Sequence, residues 1–194
     1  MSRYVIGITG ASGIVYAVKL IQELTERDNE VHIIASKPAL IVAEQELGWE
    51  YADDWMQVWR KYIDGEKVFF YDNSDIAAKI ASGSFITEGM VIIPTTMSTL
   101  AAVAGGLSNN LIERSADVAI KEKRRLIMVP RETPLSSVHL RNMLTLADMG
   151  VHIIPAMPGF YHNPRTIEDL VNFLVGKVLD SMGIYHNLFK RYKQ

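Results

Sequence analysis

Residues 7–13 read Gly7-Ile8-Thr9-Gly10-Ala11-Ser12-Gly13, and they stand between a short apolar run and a helical pattern of apolar residues. A strand that breaks at glycines and continues as a helix directs backbone N–H groups and the positive end of the helix dipole at one point. Anions bind at such points, and glycines let a ligand approach the backbone closely. The turn therefore predicts a phosphate site to which Ser12 adds a hydroxyl; a tight turn that binds nothing is the alternative.

The spacing of the glycines narrows the kind of ligand. No Gly-Lys-Ser/Thr follows, so this is not a Walker loop, and GxxGxxG differs from the dinucleotide pattern GxGxxG. The second apolar run ends in Ser36-Lys37, without the carboxylate that holds the ribose of NAD. The NAD interpretation is therefore weakened and NADP stays open, whereas a mononucleotide such as FMN needs no such acid.

Apolar, β-branched runs recur along the chain with helical patterns between them. None alternates polar and apolar residues, which is typical of strands buried on both faces. The β-α alternation predicts one α/β domain over residues 1–194, a Rossmann-like (flavodoxin-like) parallel sheet with helices on both faces in a three-layer sandwich. The predicted strands are residues 4–9, 31–36, 90–94, 126–130 and 151–155, with a sixth at 67–71.

Small polar, charged or Gly/Pro residues follow these strands. Ligands of parallel α/β sheets bind beyond the carboxyl ends of the strands, so these segments should converge on one edge. Their convergence predicts a nucleotide-like ligand. The segments are residues 10–12, 36–37, 95–99, 131–133 and 157–161.

The composition excludes several classes of function. The 194 residues carry a net charge of −2, which argues against a general nucleic-acid binder. There is no cysteine, so disulfides, thiolate metal sites and a cysteine nucleophile are impossible, and the five histidines show no metal-binding spacing. We expect no membrane span and no secretory leader, which makes a cytoplasmic protein the default.

Two charged segments are candidates for the site. Residues 110–125 predict a helix with Arg114, Asp117 and Lys121 on one face, although a solvated helix with weak ion pairs has the same pattern. The next strand ends in a proline-flanked turn in which Arg131 can fork onto a phosphate or a flavin carbonyl. Its neighbour Glu132 is a candidate acid or base.

Three further segments carry less specific signals. The loop at residues 155–164 holds Tyr161 and His162, and we expect His162 to be a surface histidine. The aromatic-rich residues 50–75, which include Tyr51, either cover the site, pack against a neighbouring subunit or belong to an ordinary core. The basic residues 185–194 are expected to form a solvated extension.

Six segments of the chain closely resemble the UbiX-type flavin prenyltransferases, which include the B subunits named with phenolic acid and vanillate decarboxylase systems. The resemblance covers nearly the whole chain and is weakest over residues 50–75. The segments are GITGASG (7–13), ASGSF (81–85), GMVIIPTTMSTLAAVAGG (89–106), NNLIERSADVAIKEKRRL (109–126), VPRETPLSSVHLRNML (129–144) and PAMPGFYHNPRTIEDLV (155–171).

The resemblance implies a reaction and an assembly. In that family a dimethylallyl group passes from dimethylallyl monophosphate to N5 and then C6 of reduced FMN, and phosphate is released without a metal. The product, prenylated FMN, serves a UbiD-type decarboxylase. The resemblance also implies homo-oligomers built from trimers into dodecamers, with FMN bound where subunits meet. Whether a prenyl diphosphate is also a donor stays open.

The resemblance also assigns roles to residues. It implies catalytic roles for Ser12, Glu46, Lys121 and Glu132, with Glu46 shuttling protons with Ser12, and with Glu132 or the released phosphate as the final base. It implies substrate-phosphate contacts from Arg114, Lys121, Tyr161 and Lys177; lysine at 177 replaces a family arginine and loses its bidentate fork. The implied FMN contacts are Gly10, Ala11, Ser12, Ser36, Thr96, Met97, Ser98, Thr99 and Arg131.

Two other functions fit the same fold. One is an FMN-dependent decarboxylase of cysteine-type substrates, which uses a catalytic histidine and a PXMNxxMW-type motif; here Pro158 stands where that motif has asparagine. The other is a non-catalytic FMN-binding accessory subunit of an aromatic acid decarboxylase.

Overall fold

The computed structural model describes residues 1–50, 52 and 54–191. Helical segments separate the strands along the chain, as the apolar runs predicted. The strands are β1 (Arg3–Ile8), β2 (Glu30–Ala35), β3 (Val68–Asp72), β4 (Gly89–Thr95), β5 (Arg125–Pro130) and β6 (His152–Ile153). The helices are α1 (Ile14–Thr25), α2 (Lys37–Leu47), α3 (Trp55–Tyr62), α4 (Met97–Ala104), α5 (Leu111–Lys121), α6 (Ser137–Asp148) and α7 (Ile167–Met182), and a 3-10 turn, η1, spans Lys79–Ala81.

The six strands form one parallel sheet in the order β3-β2-β1-β4-β5-β6. The chain runs outward from β1 to β3, returns to pair β4 with β1, and continues to β6. This doubly wound order reverses direction between β1 and β4, which is where such sheets bind ligands. The predicted Rossmann-like α/β class is confirmed.

Helices cover both faces of the sheet, because alternate residues of each buried strand pack in opposite directions. One apolar cluster joins Ile6 and Ile8 of β1 to α1, α2, α3 and α7. The other joins Val5 and residues of β4 and β5 to α4, α5 and α6. The predicted three layers are therefore present. Within the described part of the chain, no helix is both long and apolar enough to span a bilayer.

The aromatic segment at residues 50–75 contributes to the core. Trp59 is fully buried, and Trp49 stacks on Tyr62 with ring centroids 4.5 Å apart. The core interpretation is thus the one that the described aromatic residues fit. Tyr51 and Asp53, which belong to the same segment, lie outside the described residues.

The charged helix is shorter than predicted. Asn110 caps α5, its side chain accepting a hydrogen bond from the Glu113 amide, and the helix ends at Lys121. The prediction of a helix to residue 125 was wrong, because Lys123 adopts a left-handed conformation (φ 54°) and Arg125 already belongs to β5.

Candidate functional site

The site lies at the carboxyl edge of the sheet, where β1 and β4 diverge. The Thr9 hydroxyl donates a hydrogen bond to the Pro94 carbonyl at 2.7 Å and accepts one from the Thr96 amide at 2.8 Å. One buried side chain therefore ties the loop after β1 to the start of α4. These two loops flank the crevice at this edge of the sheet.

The amino end of α1 is occupied by a carboxylate from the same chain. Both carboxylate oxygens of Glu46, on α2, accept hydrogen bonds from the Gly13 amide at 3.0 Å, and one accepts from the Ile14 amide at 3.0 Å. Glu46 therefore takes these two amides, and phosphate binding by the rest of the turn stays a prediction. Glu46 supplies the anion that the helix dipole favours there.

Gly13 makes this arrangement possible. Its φ of 108° is one that side chains rarely adopt, and an added Cβ would lie 2.7 Å from the ring of Tyr16. Burial raises the pKa of Tyr16, and the nearby negative charge of Glu46 raises it further. The phenol is therefore neutral and remains a hydrogen-bond donor beside the carboxylate.

A cavity of about 490 Å³ opens beside this turn. It brings together three predicted site residues, Ser12, Glu46 and Arg131, which come from three separate segments of the chain. Apolar side chains of α7 and of the proline-containing loop at residues 155–164 form the other wall of the cavity. The described lining residues are Ser12, Gly13, Val15, Tyr16, Glu46, Leu47, Arg131, Ala156, Pro158, Ile167, Leu170 and Val171.

The start of α2 carries a hydroxyl that the chain itself does not satisfy. Ser36 occupies the N-cap position, but its Oγ is buried and no described residue pairs with it. Buried hydroxyls are normally hydrogen-bonded, so this atom is suited to a polar ligand. Gly10 faces the same helix, and an added Cβ would lie 2.5 Å from Cβ of Pro38.

The start of α4 presents a cluster of hydroxyl groups. Thr96 caps the helix by accepting a hydrogen bond from the Thr99 amide at 3.2 Å. Its hydroxyl also lies 3.1 Å from that of Ser98 and 3.0 Å from that of Thr99. Met97 is half-buried between them. Together with Gly10, Ala11 and Ser36, these residues line the crevice with hydrogen-bond donors and carry no charged side chain. They fit a mononucleotide such as FMN.

The turn after β5 separates Arg131 from Glu132. The Arg131 amide donates to the Thr95 carbonyl at 3.3 Å, which fixes the turn against β4, and its side chain lines the cavity. Glu132 is exposed, and its carboxylate accepts a hydrogen bond from the Thr133 amide at 3.0 Å. Within one chain, the described lining of the cavity does not include Glu132.

Tyr161 and Lys177 meet at a third residue, Phe173. The Tyr161 ring lies edge-on to the Phe173 ring with centroids 5.5 Å apart, and Nζ of Lys177 lies 5.7 Å from the same centroid. Phe173 follows the cavity-lining Leu170 and Val171 on α7. The structure thus brings these two predicted substrate ligands together, next to the cavity wall.

Arg114 and Lys121 are not brought to the cavity within one chain. Both lie on α5, which packs on the other face of the sheet. Arg114 pairs with Asp117 at 2.9 Å and Lys121 with Glu122 at 3.1 Å. Lys121 ends α5 just before the amino end of β5, at the edge of the sheet opposite the crevice.

Two predictions about the surface were wrong. His162 is not a surface histidine: both ring nitrogens are buried, and its ring stacks on Phe173 at 4.9 Å with an interplanar angle of 5°. Residues 185–191 are not a solvated extension, because His186 is buried and Phe189 packs on Phe173 at 5.2 Å. Residues 192–194 lie outside the described residues.

Sequence reasoning missed the aromatic residues Phe173 and Phe189. Two signals point to them. Phe173 and Lys177 are four residues apart in a helical pattern and so share a face. Gly176 within that helix marks a close approach by another segment, and an added Cβ there would lie 2.5 Å from the Phe189 ring.

Comparison with known proteins identifies the family. Residues 1–179 match the family model described as Flavoprotein. The chain is 52% identical over 189 residues to the flavin prenyltransferase UbiX of Alkalihalophilus pseudofirmus, covering 96% of this chain and 94% of that protein.

Solved structures agree with the sequence comparison. A dodecameric FMN-dependent UbiX-like decarboxylase from Escherichia coli O157:H7 superposes with a TM-score of 0.89 at 41% identity, covering 99% of this chain and all of that one. AnUbiX (PadA1), solved with FMN and dimethylallyl pyrophosphate, gives a TM-score of 0.89 at 38% identity, covering 100% and 98% of the two chains. The sequence match along nearly its whole length and the shared architecture therefore establish that this chain belongs to the UbiX flavin prenyltransferase family of flavoproteins.

Proposed function

We propose that this protein joins a dimethylallyl group from dimethylallyl monophosphate to N5 and C6 of reduced FMN. The observation that carries the proposal is the cavity in which Ser12, Glu46 and Arg131 meet. The Ser36 hydroxyl at the start of α2, which no described residue pairs with, adds to it. The relative AnUbiX, which superposes along the whole chain, was solved with FMN and a dimethylallyl ester of pyrophosphate. Both the cavity of this chain and the ligands of this relative therefore support the proposal.

Residues along the crevice hold the flavin. Reduced FMN supplies the electron-rich N5 and C6 that accept the prenyl group. The small residues of the first turn leave room for a flat ligand, and hydroxyls at the starts of α2 and α4 bind its polar groups. The proposed contacts are Gly10, Ala11, Ser12, Ser36, Thr96, Met97, Ser98, Thr99 and Arg131.

The donor phosphate lies at the cationic end of the site. As the carbon–oxygen bond of the donor breaks, the electron pair leaves with phosphate, and cations that hold this phosphate lower the barrier. Lys177 and Tyr161 of the same chain take this role. Arg114 and Lys121 lie too far round the molecule to join them, so a neighbouring copy of the chain contributes these two.

Sharing of the site requires a homo-oligomer. The family relative from Escherichia coli is dodecameric, and we propose an assembly of trimers into a dodecamer for this chain as well. Each site then combines the crevice of one copy with α5 of another.

Proton transfers complete the reaction. The bond to N5 displaces a proton from the flavin, and ring closure adds a proton to the central allyl carbon while C6 loses one. Ser12 and Glu46 line the cavity and relay protons at the flavin. Glu132, or the phosphate released in the first step, accepts the proton from C6.

The deciding experiment mixes the purified protein with reduced FMN and dimethylallyl monophosphate under anaerobic conditions, followed by mass spectrometry of the flavin. A gain of one prenyl group supports the proposal, whereas unchanged flavin with tight FMN binding favours an accessory subunit. Parallel reactions with the diphosphate ester settle the donor. Activation of a UbiD-type decarboxylase by the product tests the proposed partner, and the cytoplasm is the proposed location.

The cysteine-type decarboxylase has less support. That chemistry uses a histidine near the flavin, and the described residues that line the cavity include no histidine. Pro158 lies in the cavity wall where the decarboxylase motif has asparagine.

A further inference from the structure

The ammonium group of Lys177 lies near two phenyl rings that contact each other. Its Nζ is 5.7 Å from the ring centroid of Phe173 and 5.4 Å from that of Phe189. The two rings contact each other with centroids 5.2 Å apart. Cations within about 6 Å of an aromatic face are attracted to it, so both rings restrict where the ammonium can lie.

Phe189 reaches Lys177 from the end of the chain. After α7 the backbone turns at Gly183 (φ 75°), and residues 184–191 run back along the helix. Gly176 provides the space, because an added Cβ would lie 2.5 Å from the Phe189 ring and 2.7 Å from the His186 ring. This returning segment, residues 184–191, is called the C-terminal strap below.

Polar contacts with Asp180 hold the strap against α7. Nη2 of Arg191 lies 2.6 Å from Oδ1 of Asp180, and Nη1 lies 3.2 Å from Oδ2, in a bidentate pair. Nε2 of the buried His186 lies 3.1 Å from Oδ1 of the same carboxylate. Leu188 also packs against the main core. The strap is therefore anchored on both sides of Phe189.

A lysine needs such support more than an arginine does. Its ammonium is a point charge on a flexible four-carbon stem, without the rigid fork that orients a guanidinium on phosphate. In this chain the phenyl rings supply the orientation, and among the described residues no hydrogen bond or ion pair occupies the ammonium. Tyr161 packs edge-on against Phe173, so the same ring contacts both groups.

We propose that the C-terminal strap is a positioning element of the substrate-phosphate site, in which Phe189 fixes the position of the Lys177 ammonium group. The inference rests on the proposed function, since it takes Lys177 as a ligand of the donor phosphate. Phe189 is a positioning residue that acts through Lys177.

The test replaces Phe189 with leucine, which keeps an apolar side chain and removes the aromatic face. Two quantities are measured on the FMN-loaded protein: the dissociation constant for inorganic phosphate by calorimetry, and KM and kcat for dimethylallyl monophosphate. We expect both the dissociation constant and KM to rise about three- to fivefold, the size of one exposed cation–π contact, with kcat unchanged. Phe189→Tyr keeps the ring and is expected to behave as wild type.

Matched controls separate positioning from folding. Tyr185→Leu makes the same aromatic-to-leucine change in the strap at a side chain that is 77% exposed, and it should leave both constants unchanged. Phe189→Met gives a second non-aromatic variant if the leucine variant does not fold. In a Lys177→Met background, Phe189→Leu should have no further effect on phosphate binding.

Wild-type constants in both Phe189→Leu and Phe189→Met, or an equal effect in the Lys177→Met background, would overturn the inference. Weaker phosphate binding by the Phe189 variants in a protein that does not prenylate FMN would retain the inference and overturn the proposed function. Prenylation of FMN by the wild-type protein, together with unaltered phosphate-binding constants in the Phe189 variants, would retain the proposed function and overturn the inference.

Discussion

The carboxylate of Glu46 lies 3.0 Å from the backbone nitrogen of Gly13, although the two residues are 33 positions apart in the chain. The amino end of α1 is thereby neutralised by the protein itself. We therefore expect a flavin phosphate to bind other groups of the crevice, and the starts of α2 and α4 offer hydroxyls for it.

Replacing Glu46 with glutamine should destabilise the protein. The amide still offers one acceptor, but the charge that faces the helix dipole is lost, and we expect the free energy of unfolding to fall by about 1 kcal/mol. Urea denaturation of the flavin-free protein measures this. Glu44→Gln, an exposed change on the same helix, is the control and should stay within about 0.5 kcal/mol of wild type. Equal stability of the two variants would contradict the capping role.

Replacing Ser36 with alanine should have opposite effects on stability and binding. The variant removes a buried hydroxyl that has no partner among the described residues, so the flavin-free protein should keep or gain up to about 1 kcal/mol. FMN affinity should fall about tenfold, because one hydrogen bond to a charged ligand is lost. Thermal unfolding and flavin fluorescence titration measure the two effects. Unchanged FMN affinity would show that Ser36 does not contact the flavin.

Sharing of the site between copies can be tested by mixing inactive variants. We expect Ser12→Ala and Lys121→Met each to lose most activity. If Ser12 and Lys121 of one site come from different copies, co-expression of the two variants restores about a quarter of the sites by random assembly. The control pair is Ser12→Ala with Glu46→Gln, whose residues line one cavity of one chain and should not complement. No recovery with Lys121→Met would place the whole site in a single chain.

The buried His32 should make the protein sensitive to acid. Burial lowers the pKa of His32 to about 4, and the nearby positive charge of Lys79 adds to this. The unfolded chain therefore binds a proton that the folded chain excludes between pH 6.5 and 4. Stability is complete above pH 6.5 and falls by up to about 3 kcal/mol as the pH approaches 4. Denaturation curves across this range measure the slope.

A His32→Gln variant provides the comparison. Glutamine does not titrate, so the slope of stability between pH 6.5 and 4 should be smaller in this variant, whatever its absolute stability. A slope equal to that of wild type would assign the acid sensitivity to other groups.

The layout of the sheet could be predicted because its signals are local. Uniformly apolar runs mark strands buried on both faces, and the handedness of β-α-β connections leaves few ways to arrange them. The residues at the strand ends, such as Ser36 and Arg131, follow from that layout. Their convergence required no knowledge of side-chain packing.

The rest of the site depends on contacts between distant segments, which no local pattern reports. The position of Glu46 on α2 does not reveal that its carboxylate reaches the Gly13 amide. The basic end of the chain looked solvated because its charges dominate the composition, yet Asp180 neutralises Arg191 and Gly176 admits Phe189. Lys121 lies at the edge of the sheet opposite the crevice, and the second copy through which we propose that it acts is not visible in a single sequence.

The hydroxyl of Thr9 has a consequence for the evolution of binding preference. By bridging Pro94 and Thr96 it couples the two loops that flank the crevice, so neither can shift without the other. Substitutions along either rim can then change the chemistry offered to a ligand without altering the gap that receives it. A lineage that came to accept a thicker ligand would first have to lose the hydrogen bonds of Thr9 that join these two loops.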